Sequence, residues 1–80
     1  MNIYVGNIPR TAGDEDLRKA FEPFGKLMSA SIVKDRFSGE SRGFGFVEMF
    51  KTSEGKAAIQ ALNGTDFMGQ TITVNEARPK

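Results

Sequence analysis

The chain has 80 residues, 39% of them hydrophobic, with eleven basic and ten acidic side chains and a net charge of +1. It contains neither cysteine nor histidine, which excludes disulfides, thiolate metal sites, thiol nucleophiles and imidazole bases or ligands. One small domain fits this length, burying only about 60% of the surface of the unfolded chain.

Residues 2–8 alternate, with Ile3, Val5 and Asn7 facing one way and Asn2, Tyr4 and Gly6 the other, so a first strand is expected. Pro9 ends it, because proline cannot donate to a strand ladder, and residues 10–13 form a loop. A helix is expected from Asp14 to Phe24. Gly13 is its N-cap, and Asp14, Glu15 and Asp16 suit the positive end of its dipole. Leu17, Ala20, Phe21 and Phe24 recur at helical spacing as a buried stripe. Pro23 marks the last turn and Gly25 the stop.

A second strand runs from Leu27 to Lys34, with Ala30 and Ile32 facing the core and Ser29, Ser31 and Val33 facing outward. Residues 35–40 are a turn-rich loop with Ser38-Gly39 at its tip. Phe37 is unusual there and has two readings, contact with a nucleic acid or packing on its own loop.

The next stretch organises the rest: Arg42-Gly43-Phe44-Gly45-Phe46-Val47-Glu48-Met49. As a strand it puts Arg42, Phe44, Phe46 and Glu48 on one face and Gly43, Gly45, Val47 and Met49 on the other. Rings serving only as core would share a face with Val47 and Met49. Instead they share one with two charges, while the glycines on the opposite face allow helices to pack close beneath. Ring faces left open to water are what stacking on unpaired bases requires. A glycine-rich phosphate loop is the weaker reading of Gly43-Phe44-Gly45, since no helix opens there.

A second helix is expected with Thr52 as N-cap, an inward stripe of Gly55, Ala58, Ile59 and Leu62, and a left-handed stop at Asn63-Gly64. Gly55 is costly in a helix by roughly 1 kcal/mol against alanine, so alanine there stabilises the fold if a methyl has room. Asn63-Gly64-Thr65 has the form of a glycosylation sequon, but the helix stop is the preferred reading. Met68-Gly69 makes a turn, and Thr71 to Glu76 form a last strand with Ile72 and Val74 inward. Residues 1–78 are the folded core, and 79–80 end a short basic tail.

Strand–helix–strand–strand–helix–strand suits a two-layer α+β domain with both helices on one face of an antiparallel sheet. The octapeptide resembles the signature K/R-G-F/Y-G/A-F-V-x-F/Y of the RNA recognition motif. Seven positions match and Met49 departs, on the inward face, where it bears on core shape. Ile3-Tyr4-Val5-Gly6-Asn7-Ile8 is similar to the family's second, hexapeptide signature, with Tyr4 at the aromatic position. The resemblance covers all 80 residues and extends to the small single-motif RNA-binding proteins of bacteria.

That resemblance implies a ferredoxin-like βαββαβ fold, a four-stranded antiparallel sheet whose central pair, the first and third strands, sets Tyr4 beside Phe44 and Phe46. It also implies that Tyr4 and Phe44 stack bases, that Phe46 packs against a sugar or between nucleotides, and that Arg42 meets a phosphate. Asn75 and Arg78 are candidates for reading base edges. Lys34, Arg36 and Lys80 complete a basic set set apart from the acids at Asp14, Glu15, Asp16 and Glu22.

The expected partner is single-stranded RNA, with single-stranded DNA as an alternative. A monomer without catalytic activity, cofactor, metal or membrane association is expected. No apolar run approaches the roughly 18 residues of a membrane span, no signal peptide precedes the first strand, and a cytoplasmic location follows as an expectation. The competing class is a protein-interaction domain that uses the same rings as a contact surface.

Overall fold

The computed structural model describes residues 1–77. In chain order it contains β1 (Asn2–Gly6), α1 (Asp14–Phe21), a 3-10 turn (Glu22–Phe24), β2 (Leu27–Lys34), β3 (Ser41–Met49), α2 (Thr52–Leu62), β4 (Asp66–Phe67), β5 (Gln70–Thr71) and β6 (Thr73–Glu76). Four strands form an antiparallel sheet in the order β2-β3-β1-β6, so β3 and β1 are the central pair, as the resemblance implies. This is the ferredoxin-like α+β arrangement.

Several boundaries differ from expectation, each for a local reason. The α-helix stops at Phe21, and the expected last turn around Pro23 tightens into the 3-10 segment, closed by the Gly25 amide donating to Glu22 O at 3.2 Å. Thr52 is the first residue of α2; the N-cap is Lys51, in an extended conformation with no side-chain cap. The last strand begins two residues later than expected. Gln70 and Thr71 leave the main sheet to pair with Phe67 and Asp66 across a two-residue turn, with φ 51° at Met68 and 93° at Gly69. Positive φ at both positions is the primed geometry that matches strand twist.

The core lies between the inner sheet face and the two helices. Ile3 and Val5 of β1, Ile32 of β2, Val47 and Met49 of β3 and Val74 of β6 are buried against Leu17, Phe21 and Ala58 of the helices. Phe24, Ile59 and Leu62 pack on that cluster half-buried. Asp14 ties α1 to the sheet, its Oδ1 accepting the Ile32 N–H at 2.8 Å. Asn63 ties the end of α2 to β6, its Oδ1 accepting the Val74 N–H at 3.0 Å, while Gly64 makes the left-handed stop at φ 78°.

Two inward glycines have distinct roles. A Cβ on Gly45 would lie 2.5 Å from Ser31 O, 3.0 Å from Ile32 Cα and 3.3 Å from Leu17 Cδ2, so this glycine lets β2 and α1 approach closely. Gly43 does not serve helix packing as expected. Its φ of 84° bends β3 where the β2–β3 register shifts, and its carbonyl accepts the Ile8 N–H at 2.8 Å. At Gly55 a Cβ would run into the Met1 thioether, the movable end of a side chain, so Met1 must shift before alanine's gain is realised.

Candidate nucleic-acid interface

The register writes the open face out in rows. Ile3, Val5, Val47 and Val74 point into the core, so their neighbours along each strand point to the opposite side. One row crosses all four strands as Ser31, Phe46, Tyr4 and Asn75. On one side of it lies the row Phe44, Gly6 and Thr73; on the other, Ser29, Glu48 and Asn2.

Tyr4, Phe44 and Phe46 therefore meet from two strands in the middle of the face. Tyr4 and Phe44 have ring centroids 6.0 Å apart at an interplanar angle of 31°. Phe46 stands edge-on to both, at 5.8 Å and 65° from Tyr4 and at 6.2 Å and 89° from Phe44. Such tilted and edge contacts hold aromatic rings in defined orientations. Phe46 retains 41% of its surface exposed, and Tyr4 and Phe44 are half-buried.

Gly6 is a working part of this site that the alternation pattern did not single out. A Cβ there would lie 2.7 Å from Tyr4 Oη and 2.9 Å from its Cε2. The tyrosine ring therefore lies along β1 over a bare Cα, held flat against the sheet. The signal was its position two residues after Tyr4, on the same face.

Asn7 was expected to face inward with Ile3 and Val5. It is exposed, because φ is 60° there and the strand turns over, a conformation that asparagine tolerates better than most residues. Its Nδ2 donates to Thr71 O at 2.7 Å, and its carbonyl accepts from Gln70 Nε2 at 3.0 Å. The small β4–β5 hairpin is thereby clipped to the end of β1. Together Asn7, Arg10, Arg42, Gln70, Tyr4 and Phe44 line a groove of about 640 Å³. Arg10 was not identified from sequence; its only ion pair among the described residues is an exposed 3.8 Å contact with Glu40.

The other expected site residues divide. Arg42 is exposed at the mouth of that groove, although the turn at Gly43 separates it from the strict alternation of Phe44 and Phe46. Asn75 sits opposite Tyr4, exposed, as expected. Lys34 and Arg36 are exposed but do not line the aromatic groove; Lys34 borders a separate depression with Ala12, Gly13 and Glu40. Arg78 and Lys80 lie outside the described residues.

The β2–β3 loop has its own order. Asp35 Oδ1 accepts the Phe37 and Ser38 N–H groups at 2.8 and 3.1 Å, and the Gly39 N–H donates to Asp35 O at 2.9 Å. The Phe37 amide first, then the Ser38 amide, hold the Asp35 carboxyl below the ordinary aspartate value, with a smaller contribution from the Arg42 charge. Phe37 is 94% exposed at the tip, which removes the reading that it packs on its own loop. No group of three or more His, Cys, Asp or Glu that could hold a metal ion occurs among the described residues.

Comparison with known proteins agrees with this geometry. The model of the RNA recognition motif family matches residues 3–73. The chain is 45% identical over 80 residues to a Nostoc sp. protein named as the RNA-binding protein RbpE, covering all of this chain and 81% of that one. It is 41% identical to a Synechocystis sp. protein named as the RNA-binding protein RbpA, covering 79% of its length. Among solved structures, the RNA-binding protein PG1 superposes with a TM-score of 0.94 at 43% identity over 100% of this chain and 99% of that one. The Sex-lethal protein in complex with RNA superposes with a TM-score of 0.89 at 37% identity, over 95% of this chain and 47% of its own. The chain belongs to the RNA recognition motif family.

Proposed function

We propose that the open face of β3, β1 and β6 binds single-stranded RNA, with bases stacked on Tyr4 and Phe44 and Phe46 packed against a sugar or between nucleotides. The observation that carries this is the three-ring cluster itself, with centroids 5.8 to 6.2 Å apart on the sheet face opposite the core. A protein that needed these rings for stability would turn them inward, where Val47 and Met49 already fill the space. Arg42 meets a phosphate at the edge of the rings, and Asn75 offers its amide to a base edge. Two stacked bases at about 1–3 kcal/mol each, with a few phosphate contacts, suit micromolar affinity for one domain.

The reading extends to a monomer acting in the cytoplasm, in post-transcriptional regulation or RNA chaperoning, without catalytic, metal or cofactor chemistry. Single-stranded DNA is the alternative ligand. The test is titration of labelled single-stranded RNA and DNA octamers into the wild type and Phe44→Ala, with melting curves in parallel. Loss of about 1–3 kcal/mol of affinity at nearly unchanged melting temperature is expected for Phe44→Ala. A large drop in melting temperature with affinity intact would make the ring part of the core and overturn the assignment.

A further inference from the structure

The half of the open face beyond Phe46 has a chemistry of its own. Glu48 stands between Ser29 of β2 and Asn2 of β1 in one row, next to the row that holds Ser31 and Phe46. These residues and Ala77 line a hollow of about 340 Å³. Ala77 closes one side, its N–H donating to Asn2 O at 2.8 Å. Glu48 is half-buried in the hollow, while Asn2, Ser29 and Ser31 are exposed. Among the described residues the only ion pair is Arg10–Glu40, so no described cation neutralises Glu48 there.

A carboxylate is an unexpected group on a surface that receives a polyanion. It repels phosphate, so the backbone does not run over this hollow. An ionised carboxylate is also an acceptor-only group with two oxygens, and what it can hold is a base edge that presents donors. Guanine presents two adjacent donors, N1–H and the N2 amino group, which match the two oxygens. Cytosine and adenine present one amino group beside a ring acceptor. Uracil presents a single N–H flanked by two carbonyls, both of which face the negative charge. The Ser29 and Ser31 hydroxyls rotate to donate or accept, and so serve whichever atoms remain.

We propose that the hollow formed by Asn2, Ser29, Ser31 and Glu48 beside Phe46 is a base-reading site that prefers guanine and disfavours uracil, with Glu48 setting the preference. This rests on the assignment of the open face to single-stranded RNA. The neighbouring ring supplies the wall against which the base packs, and Glu48 supplies the reading of its edge.

The test is fluorescence anisotropy with three RNA octamers, UUUUUUUU, UUGUUGUU and the same sequence with inosine for guanosine, against the wild type and Glu48→Gln. One good bidentate contact is worth about 1–3 kcal/mol. The guanosine octamer is therefore expected to bind the wild type at least about fivefold more tightly than the uridine octamer, with inosine, which lacks the amino group, in between. Glu48→Gln should reduce the guanosine preference to less than about twofold. Equal wild-type affinity for all three octamers overturns the inference and leaves the RNA-binding face standing. A Glu48→Gln variant that binds all three more tightly by one common factor also overturns it, because Glu48 would then act by repulsion alone. Absence of binding to any octamer overturns the RNA-binding assignment itself. The inosine comparison needs only the wild type: inosine binding as tightly as guanosine overturns the inference even if the variant fails to fold.

Discussion

Gly6→Ala separates the shape of the binding face from the stability of the fold. The new Cβ would lie 2.7 Å from Tyr4 Oη, whereas ordinary van der Waals contact begins at 3.4 Å. The ring must rise or swing by on the order of 0.7 Å, and a gap of that size forfeits about a quarter to a half of a contact's dispersion energy. Applied to a stacked base worth about 1–3 kcal/mol, the loss is about 0.3–1.5 kcal/mol, or roughly two- to tenfold in Kd. Stability should hardly change. The obstructing atoms belong to the far end of a side chain that can move, and alanine removes glycine's entropic cost of roughly 0.5–1 kcal/mol in a strand. The assay is a titration with a single-stranded RNA octamer and a urea melt for Gly6→Ala, Tyr4→Ala and the double variant. The double variant should bind like Tyr4→Ala alone, because the two changes act through one ring. Additive losses, or full affinity in Gly6→Ala alongside weakened Tyr4→Ala, would refute the idea that Gly6 acts by seating the ring.

Three further outcomes follow from other parts of the molecule. Arg42→Gln should make the logarithmic salt dependence of binding shallower by about 0.7, one phosphate contact on a single strand, whereas Tyr4→Ala should weaken binding at every salt concentration and leave the slope alone; the reverse pattern would exchange their roles. Gly45→Ala should destabilise the fold by about 1–3 kcal/mol, because its Cβ would meet the backbone of Ser31 and Ile32 rather than a movable side chain; an unchanged urea midpoint would refute this. The Asp35 turn should persist down to acid pH. A carboxyl held below its ordinary value contributes where it is ionised and loses that contribution only as pH falls through its lowered value, so the titration midpoint of the Phe37 and Ser38 amide resonances should lie below that of an ordinary aspartate, and a midpoint above it would contradict the turn.

Much of the site was legible because a strand has a period of two. Tyr4, Phe44 and Phe46 follow from alternation alone once Ile3, Val5, Val47 and Met49 are taken as core. Their meeting in space did not follow from alternation, since adjacency depends on strand order, which the family resemblance supplied. The pattern failed wherever backbone left the extended region. Asn7 at φ 60° and Gly43 at φ 84° each end a parity argument, the first by turning a presumed inward residue out, the second by detaching Arg42 from the ring row. The Met68-Gly69 turn was legible, but the pairing of Gln70 and Thr71 back onto Phe67 and Asp66 was not, because strands of two residues are too short to show alternation. Arg10 reaches the groove through loop geometry, which no periodicity encodes.

The most direct measurement on the central claim is the proton NMR spectrum of the complex with a single-stranded RNA octamer, read at the rings and the bases. Stacking on Tyr4 and Phe44 predicts upfield-shifted base protons and intermolecular Overhauser contacts from those two rings, with amide shifts concentrated on β1, β3 and β6. A saturated complex whose shifts map to α1 and α2, with the resonances of all three rings unmoved, would contradict it.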